Sequence, residues 1–233
     1  MNIELKDSLI IGLTGHAKSG KDTLAGALWT YAVLNKPFNG NPTEWHKLAF
    51  ADGIRKIGKI FGFTEEQMTK QELKETFVHP VWNITPRVFM QRVGSEMFRN
   101  HLDKDCWVKL VMQEIKSKVS FYPISKEEFQ RCLADRDDDE PKTYARHCFI
   151  ITDVRFPNEA QAIKDAGGII VRVTRPTGDD SSEAAWKKHE SEAFIDEMKV
   201  DLDICNSGTL EDFKKHAPEM VAHRVKERLG ITM

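Results

Sequence analysis

The stretch Gly15-His-Ala-Lys-Ser-Gly20-Lys21-Asp22-Thr23 decides how this chain is read. An apolar run, Leu9-Ile10-Ile11-Gly12-Leu13, precedes it, and an apolar-periodic segment, Leu24 to Leu34, follows. Strand, glycine-bearing loop and helix in that order are what an anion-binding loop requires. Gly15 and Gly20 let the backbone curl so that successive N–H groups, those around Lys18 and Ser19 included, point at one anion. The next helix adds the positive end of its dipole. Lys21 adds a point charge for the outer phosphates of a nucleotide. The usual pattern puts Ser or Thr directly after the lysine to hold Mg²⁺; here Asp22 stands there and Thr23 comes one residue later. The competing reading is a glycine-rich turn that happens to hold a lysine.

The rest of the chain bounds the class. Its 233 residues fit one α/β domain with insertions and are ample for a buried core. Composition is ordinary, with 40% hydrophobic and 30% charged residues and a formal net charge of −2, so no global basic excess argues for nucleic acid as a partner. No segment reaches the ~18 apolar residues of a spanning helix. Met1 to Asp7 lacks the apolar region of a signal peptide. The expectation is a cytoplasmic chain with no membrane partner. Cys106, Cys132, Cys148 and Cys205 match no zinc spacing and are read as packed free thiols. The acidic run Asp135 to Glu140 lacks the glycine and the spaced terminal Glu of a calcium loop and reads as solvated.

Working outward from the loop, His46 to Phe50 reads as a strand and Ala51 to Phe61 as a helix. Thr64 to Phe77 is polar and helical, with Thr64 and Gln67 placed as a capping box. Thr85-Pro86 starts a helix expected to run to about Leu102, and a further helix spans roughly Asp105 to Val119. Pro123 to Arg146 reads as helix and then loop. His147 to Asp153 is a buried strand ending in a carboxylate, Pro157 to Ala166 a helix, Ile169 to Thr174 a strand and Leu202 to Cys205 a short strand. Gly178 to Glu192 is a polar connection. Thr209 to Leu229 closes the chain as a helix that Pro218 should interrupt. This alternation argues for a parallel sheet wrapped by helices.

Three further groups of residues carry chemistry. Asp153 lies at the carboxyl end of its strand, where ligands of open α/β sheets sit. It can hold Mg²⁺ or accept a proton, or it can merely cap the next segment, which carries Arg155 and Glu159. The helix after Thr85 has three arcs on a 3.6-residue wheel. Phe89, Met90, Val93 and Met97 form a core arc; Arg92, Glu96 and Arg99 form a charged arc read as solvated. Arg87, Gln91, Gly94 and Ser95 form a third, with an arginine suited to a phosphate and an amide suited to a base edge. Gly94 permits either close approach of a flat ligand or tight helix packing. Trp107 reads by default as core. Arg172 and Arg175 open a stretch to Glu192 that reads as an arginine-bearing lid or as a solvated loop of mixed charge. His189, inside it, is given no proton-transfer role.

These residues resemble the bacteriophage deoxynucleoside monophosphate kinases. The resemblance rests on Gly15 to Thr23 with Asp after the lysine, Thr85-Pro-Arg87…Gln91-Arg-Val-Gly94-Ser95-Glu96 followed by Trp107, Ile151-Thr-Asp153-Val-Arg155-Phe-Pro-Asn-Glu159, and Arg175-Pro…His189-Glu-Ser-Glu192…Asn206-Ser-Gly208-Thr209-Leu210. It implies an α/β P-loop NTPase fold, a parallel sheet flanked by helices. The core would be residues 1–50 and 147–233, with a helical monophosphate-binding insertion at about 51–146 and a lid at about 175–192. It implies ATP and Mg²⁺ as cofactors, a deoxynucleoside 5′-monophosphate as acceptor, host cytoplasm as the location and a homodimer as a possible assembly. Carried over by motif, Gly15, Lys18, Ser19, Gly20, Lys21, Asp22 and Thr23 would hold the ATP phosphates, with Asp22 and Asp153 toward the metal. Arg87, Gln91, Gly94, Ser95 and Trp107 would hold the acceptor, Trp107 as a base contact. Lys21, Asp153, Arg155 and Glu159 would surround the reacting centre. Position 88 is Val where the family pattern has room for a second cation, which leaves Arg87 or the lid to hold the acceptor phosphate. The alternatives are a P-loop kinase of another small phosphorylated metabolite, or a nucleotide-binding regulatory module that transfers nothing.

Overall fold

The computed structural model describes residues 8–35, 43–120, 146–176 and 190–230. Five parallel strands form one sheet in the order β2-β3-β1-β4-β5. They are β1 (Ser8–Thr14), β2 (Thr43–Leu48), β3 (Arg146–Ile151), β4 (Ile169–Thr174) and β5 (Leu202–Cys205). The last two match the sequence reading residue for residue. Both faces are covered, so the central strands are apolar throughout rather than alternating. Leu9, Ile11 and Leu13 of β1 face α1 (Lys21–Asn35) and α9 (Leu210–Leu229). Ile10, on the opposite face, packs with α6 (Cys106–Ser120) and α7 (Pro157–Asp165).

This layering positions a site. The chain leaves β1 toward one face through α1 and leaves its neighbour β3 toward the other through α7. A crevice therefore opens beyond the carboxyl ends of β1 and β3, the place where open α/β sheets bind ligands. Four helices of the connection from β2 to β3 roof it: α2 (Asp52–Ile60), α3 (Glu65–Thr69), α4 (Gln71–Thr76) and α5 (Pro86–Gln91). Thr64 and Gln67 form the expected capping box. The expected single helix to Phe77 is instead α3 and α4, divided at Lys70, which is extended.

The helix begun by the Thr85 cap reaches about as far as expected, to His101, but beyond α5 it is a π-helix over Arg92–Arg99. Pro218 does not interrupt α9, which runs unbroken through it. Phe213, Ala217, Val221, Ala222 and Val225 are buried along α9, and their packing outweighs the proline's ~3 kcal/mol cost. Thr209 caps the start of this helix and Gly230, left-handed at φ 68°, ends it. α8 (Glu190–Glu197) occupies what reads from sequence as the end of a polar connection. Among the described residues no helix is long and apolar enough to cross a membrane. Cys106 and Cys148 are buried free thiols and Cys205 an exposed one; Cys132, Asp135–Glu140, His189 and most of the expected lid lie outside the described residues.

Candidate active site

The loop between β1 and α1 is strained as an anion cradle must be. Gly15 (φ 145°), Lys18 (φ 65°) and Gly20 (φ 107°) all take positive φ. A Cβ on Gly15 would lie 2.3 Å from the Val173 carbonyl oxygen, and one on Gly20 would lie 2.5 Å from Asn206 Nδ2. Asn206, just after β5, donates from that nitrogen to the Ser19 carbonyl at 2.9 Å and so braces the loop from behind. The hydroxyls of Thr14 and Ser19 are buried without a partner among the described residues. Two buried hydroxyl donors without acceptors, at a glycine-bearing loop that opens a helix, suit a polyphosphate. A cavity of about 230 Å³ opens here, lined by Lys18, Gly20, Lys21, Asp22, Thr23 and Arg175, with Asn206, Gly208 and Leu210 opposite.

A second cavity, of about 220 Å³, adjoins the first, and Lys21 and Asp22 line both. Arg87, Gln91, Gly94, Ser95, Trp107, Asp153, Arg155 and Glu159, drawn from three separate stretches of sequence, all reach it. Six cationic side chains line it against three carboxylates, a balance that favours an anionic ligand. The sequence assigns three of those cations to no site: Arg55 on α2, Lys74 on α4 and Arg99 in the π-helix, which it reads as solvated. The charge that Val88 does not supply is present on these other elements of the cavity wall. Arg55 Nη1 bonds Asp52 at 2.5 Å, yet its buried Nε has no partner among the described residues. Burial, aided by Arg55, Arg87 and Arg155, pushes the Lys74 ammonium down to about 8. Arg87 holds Glu75 at 2.6 Å and sits at the cavity wall.

The π-helix explains Arg99. Hydrogen bonds to the fifth residue put about one more residue in each turn, so a wheel drawn at 3.6 slips by roughly 20° per residue. Across Arg92–Arg99 the slip carries Arg99 to the side opposite Arg92. Arg92 and Glu96 are exposed, as expected, but Met97 is turned out to solvent and Arg99 is turned in. The core arc therefore loses Met97 and the solvated arc loses Arg99. Gly94 has its packing explanation, since a Cβ there would meet Ile54 Cδ1 at 2.7 Å.

Arg99 meets Glu159 at 2.8 Å, and its guanidinium lies 3.7 Å from the centre of the Phe156 ring. Glu159, 2% exposed, also accepts the N–H groups of Arg155 at 2.8 Å and Phe156 at 3.1 Å. Its carboxylate therefore shapes the turn that presents Arg155. Burial pushes it up to about 7, with the Asp153 charge adding to the rise and Arg99 opposing it. Asp153 accepts from Phe50 N at 2.7 Å and Ala51 N at 3.0 Å, one bond on each carboxylate oxygen. It pins the corner between β2 and α2, and burial raises its pKa. Trp107 is buried, and its indole N–H donates to the Gly94 carbonyl at 2.9 Å. It walls the cavity with its polar edge already bonded.

One assigned residue is elsewhere. Arg172 is part of β4, not of a lid. Its guanidinium chelates Asp203 at 2.5 and 2.9 Å and donates to carbonyls at the end of α8. Strand pairing of Arg172 with Asp203 across β4 and β5 fixes that choice. Arg175, three residues on, does reach the first cavity.

The sequence profile described as deoxynucleotide monophosphate kinase matches residues 41–217. A chain from Acanthamoeba polyphaga mimivirus, provisionally named a deoxynucleotide monophosphate kinase, is 30% identical over 210 residues, covering 88% of this chain and 92% of its own. Among solved structures, dephospho-CoA kinase from Campylobacter jejuni aligns with 96% of this chain and 98% of its own at 16% identity and a TM-score of 0.41. The profile spans most of the chain and the mimivirus relative nearly all of it, and so the chain belongs to the deoxynucleotide monophosphate kinase family, a family of nucleotide kinases.

Proposed function

We propose that the protein transfers the γ-phosphoryl group of ATP to a deoxynucleoside 5′-monophosphate. One observation carries the reading: a loop built for polyphosphate and a cation-lined cavity share Lys21 and Asp22 at their junction. ATP would lie over the loop, its phosphates on the backbone N–H groups of Gly15 to Thr23 and the Ser19 hydroxyl. The acceptor phosphate would lie near Arg87, Arg155 and Arg55, displacing Glu75 from Arg87. Gln91 and Ser95 would meet the base and sugar, with Trp107 as the wall beneath them.

The acceptor identity is supported by Asp153. A hydroxyl acceptor needs a general base, and both oxygens of Asp153 are bonded to backbone N–H groups. A monophosphate needs none, because its second pKa is about 6 and it is already largely ionised near neutral pH. Catalysis then consists of alignment and charge neutralisation. Lys21 would move with the transferring group between the two cavities, and Arg155, held by Glu159, would meet it from the acceptor side. Asp22, exposed at the junction, and Thr23 are the donors suited to Mg²⁺, with Asp153 behind them. Bound there, Mg²⁺ would neutralise charge on the phosphate oxygens. In this reading the enzyme is phage-encoded and supplies deoxynucleoside diphosphates in the host cytoplasm.

The test is ADP release from ATP·Mg²⁺ with each deoxynucleoside and ribonucleoside monophosphate in turn. Stimulation by at least one deoxynucleoside monophosphate is expected. Stimulation only by another phosphorylated metabolite would replace the acceptor, and no stimulation by any acceptor would end the kinase reading.

A further inference from the structure

At the other end of the sheet, β2 and β3 bring two histidines and a carboxylate together. Glu44 and His46 are two residues apart on β2 and so share a face. The strand register sets Glu44 beside His147 and His46 beside Phe149, placing all three side chains on the α6 side of the sheet. His46 Nε2 lies 3.1 Å from His147 Nδ1, and Glu44 Oε2 lies 3.6 Å and 3.7 Å from those same two atoms. The point equidistant from three atoms so spaced is about 2.0 Å from each, which is the ligand distance of a zinc-type ion.

We propose that Glu44, His46 and His147 form a binding site for a divalent transition-metal ion of the zinc type. Two imidazole nitrogens and one carboxylate oxygen are a frequent three-residue set, with water as the fourth ligand. His147 is buried and Glu44 about half exposed, so the ion would enter from the Glu44 side. Binding replaces the bond between the two rings. The proton held on that shared edge must leave for solvent or for the far nitrogen of its ring, so that both inner nitrogens offer lone pairs. Burial lowers the pKa of both imidazoles, assisted by the Lys118 ammonium of α6. Lys118 is also the group opposing a cation here, while Glu114, one turn earlier on α6, favours one.

The site is at the start of both strands, whereas Asp153 and the phosphate loop are at their carboxyl ends. The length of β3 separates them by ~20 Å. The ion would staple the edge strand β2 to β3 and take no part in phosphoryl transfer.

The test is calorimetric titration of the full chain with Zn²⁺, repeated on Glu44→Gln and His46→Gln, with thermal denaturation in parallel. One equivalent should bind and raise the Tm. Each variant should weaken binding by at least ~10-fold, the lower bound for disturbing a metal's supporting shell, while kcat stays at the wild-type value. Lys118→Gln should tighten binding. Failure of Zn²⁺ to bind the wild-type chain would overturn the proposal. So would undiminished binding in both variants, which would place the ion at Cys205 or at the His216–Glu219 and His223–Glu227 pairs of α9.

Discussion

The two cavities that meet at Lys21 are made of different material. The loop cavity is largely backbone: residues 15–23 are contiguous, their conformation is set by positive φ angles, and one side chain, Asn206, braces them. The adjoining cavity is side chain: beyond the shared Lys21, its cations come from α2, α4, α5, the π-helix and the turn after β3. A backbone site works with local geometry alone. A side-chain site works only if distant elements hold one another in place, and here the Arg99–Glu159 pair does much of that holding. The first should lose function without losing stability when a side chain is removed; the second should lose both.

Arg99→Leu tests that contrast most severely. It leaves the Glu159 carboxylate buried without its partner, which should destabilise the fold by ~3–5 kcal/mol near pH 8 in urea denaturation. Adding Glu159→Gln should recover much of the loss. The pH dependence has a definite sign. Glu159 has a folded pKa raised to about 7, so its contribution is fully present below its unfolded value of 4.5 and is lost as pH rises through about 7. Stability from this group should therefore fall between pH 4.5 and 7. The fall should deepen in Arg99→Leu and vanish in Glu159→Gln.

Lys21→Ala should cost ~2.7–4 kcal/mol of transition-state stabilisation, read as kcat, with the Tm nearly unchanged. A large Tm drop would erase the contrast between the cavities.

Lys74 sharpens the side-chain half. Its ammonium, pushed down to about 8, should be held charged by a bound monophosphate. The acceptor KM should then rise above pH 8, roughly tenfold by pH 9 to 10 if the charge is worth ~1.4 kcal/mol, while Lys74→Arg should hold KM flat. A wild-type KM independent of pH across that range would remove Lys74 from the acceptor site. The smallest effect belongs to Met97→Ser, which should change stability by no more than ~0.5 kcal/mol because the π-helix turns Met97 outward. A loss of several kcal/mol there would restore the regular helix.

The same contrast explains what could be read from the chain. The loop, the strands and the Thr64, Thr85 and Thr209 caps are local patterns, each legible in a few consecutive residues. Arg55 and Lys74 sit in polar helical stretches with nothing nearby to set them apart from solvated charge. Arg99 was hidden by a change of helical period that Gly94 and Ser95 did not announce. Arg172 reads as a lid residue by its nearness to Arg175, yet its pairing with Asp203 depends on β5 lying beside β4, a contact 31 residues away in sequence. Pro218 shows the reverse case, a strong local signal overruled by tertiary packing.

The central claim is that a phosphoryl group crosses from one cavity to the other. It is tested most directly by incubating the enzyme with γ-labelled ATP, Mg²⁺ and a mixture of deoxynucleoside monophosphates, and separating the products. The account predicts label in a deoxynucleoside diphosphate, lost in Lys21→Ala. Label appearing only as free phosphate, or remaining in ATP, would contradict it.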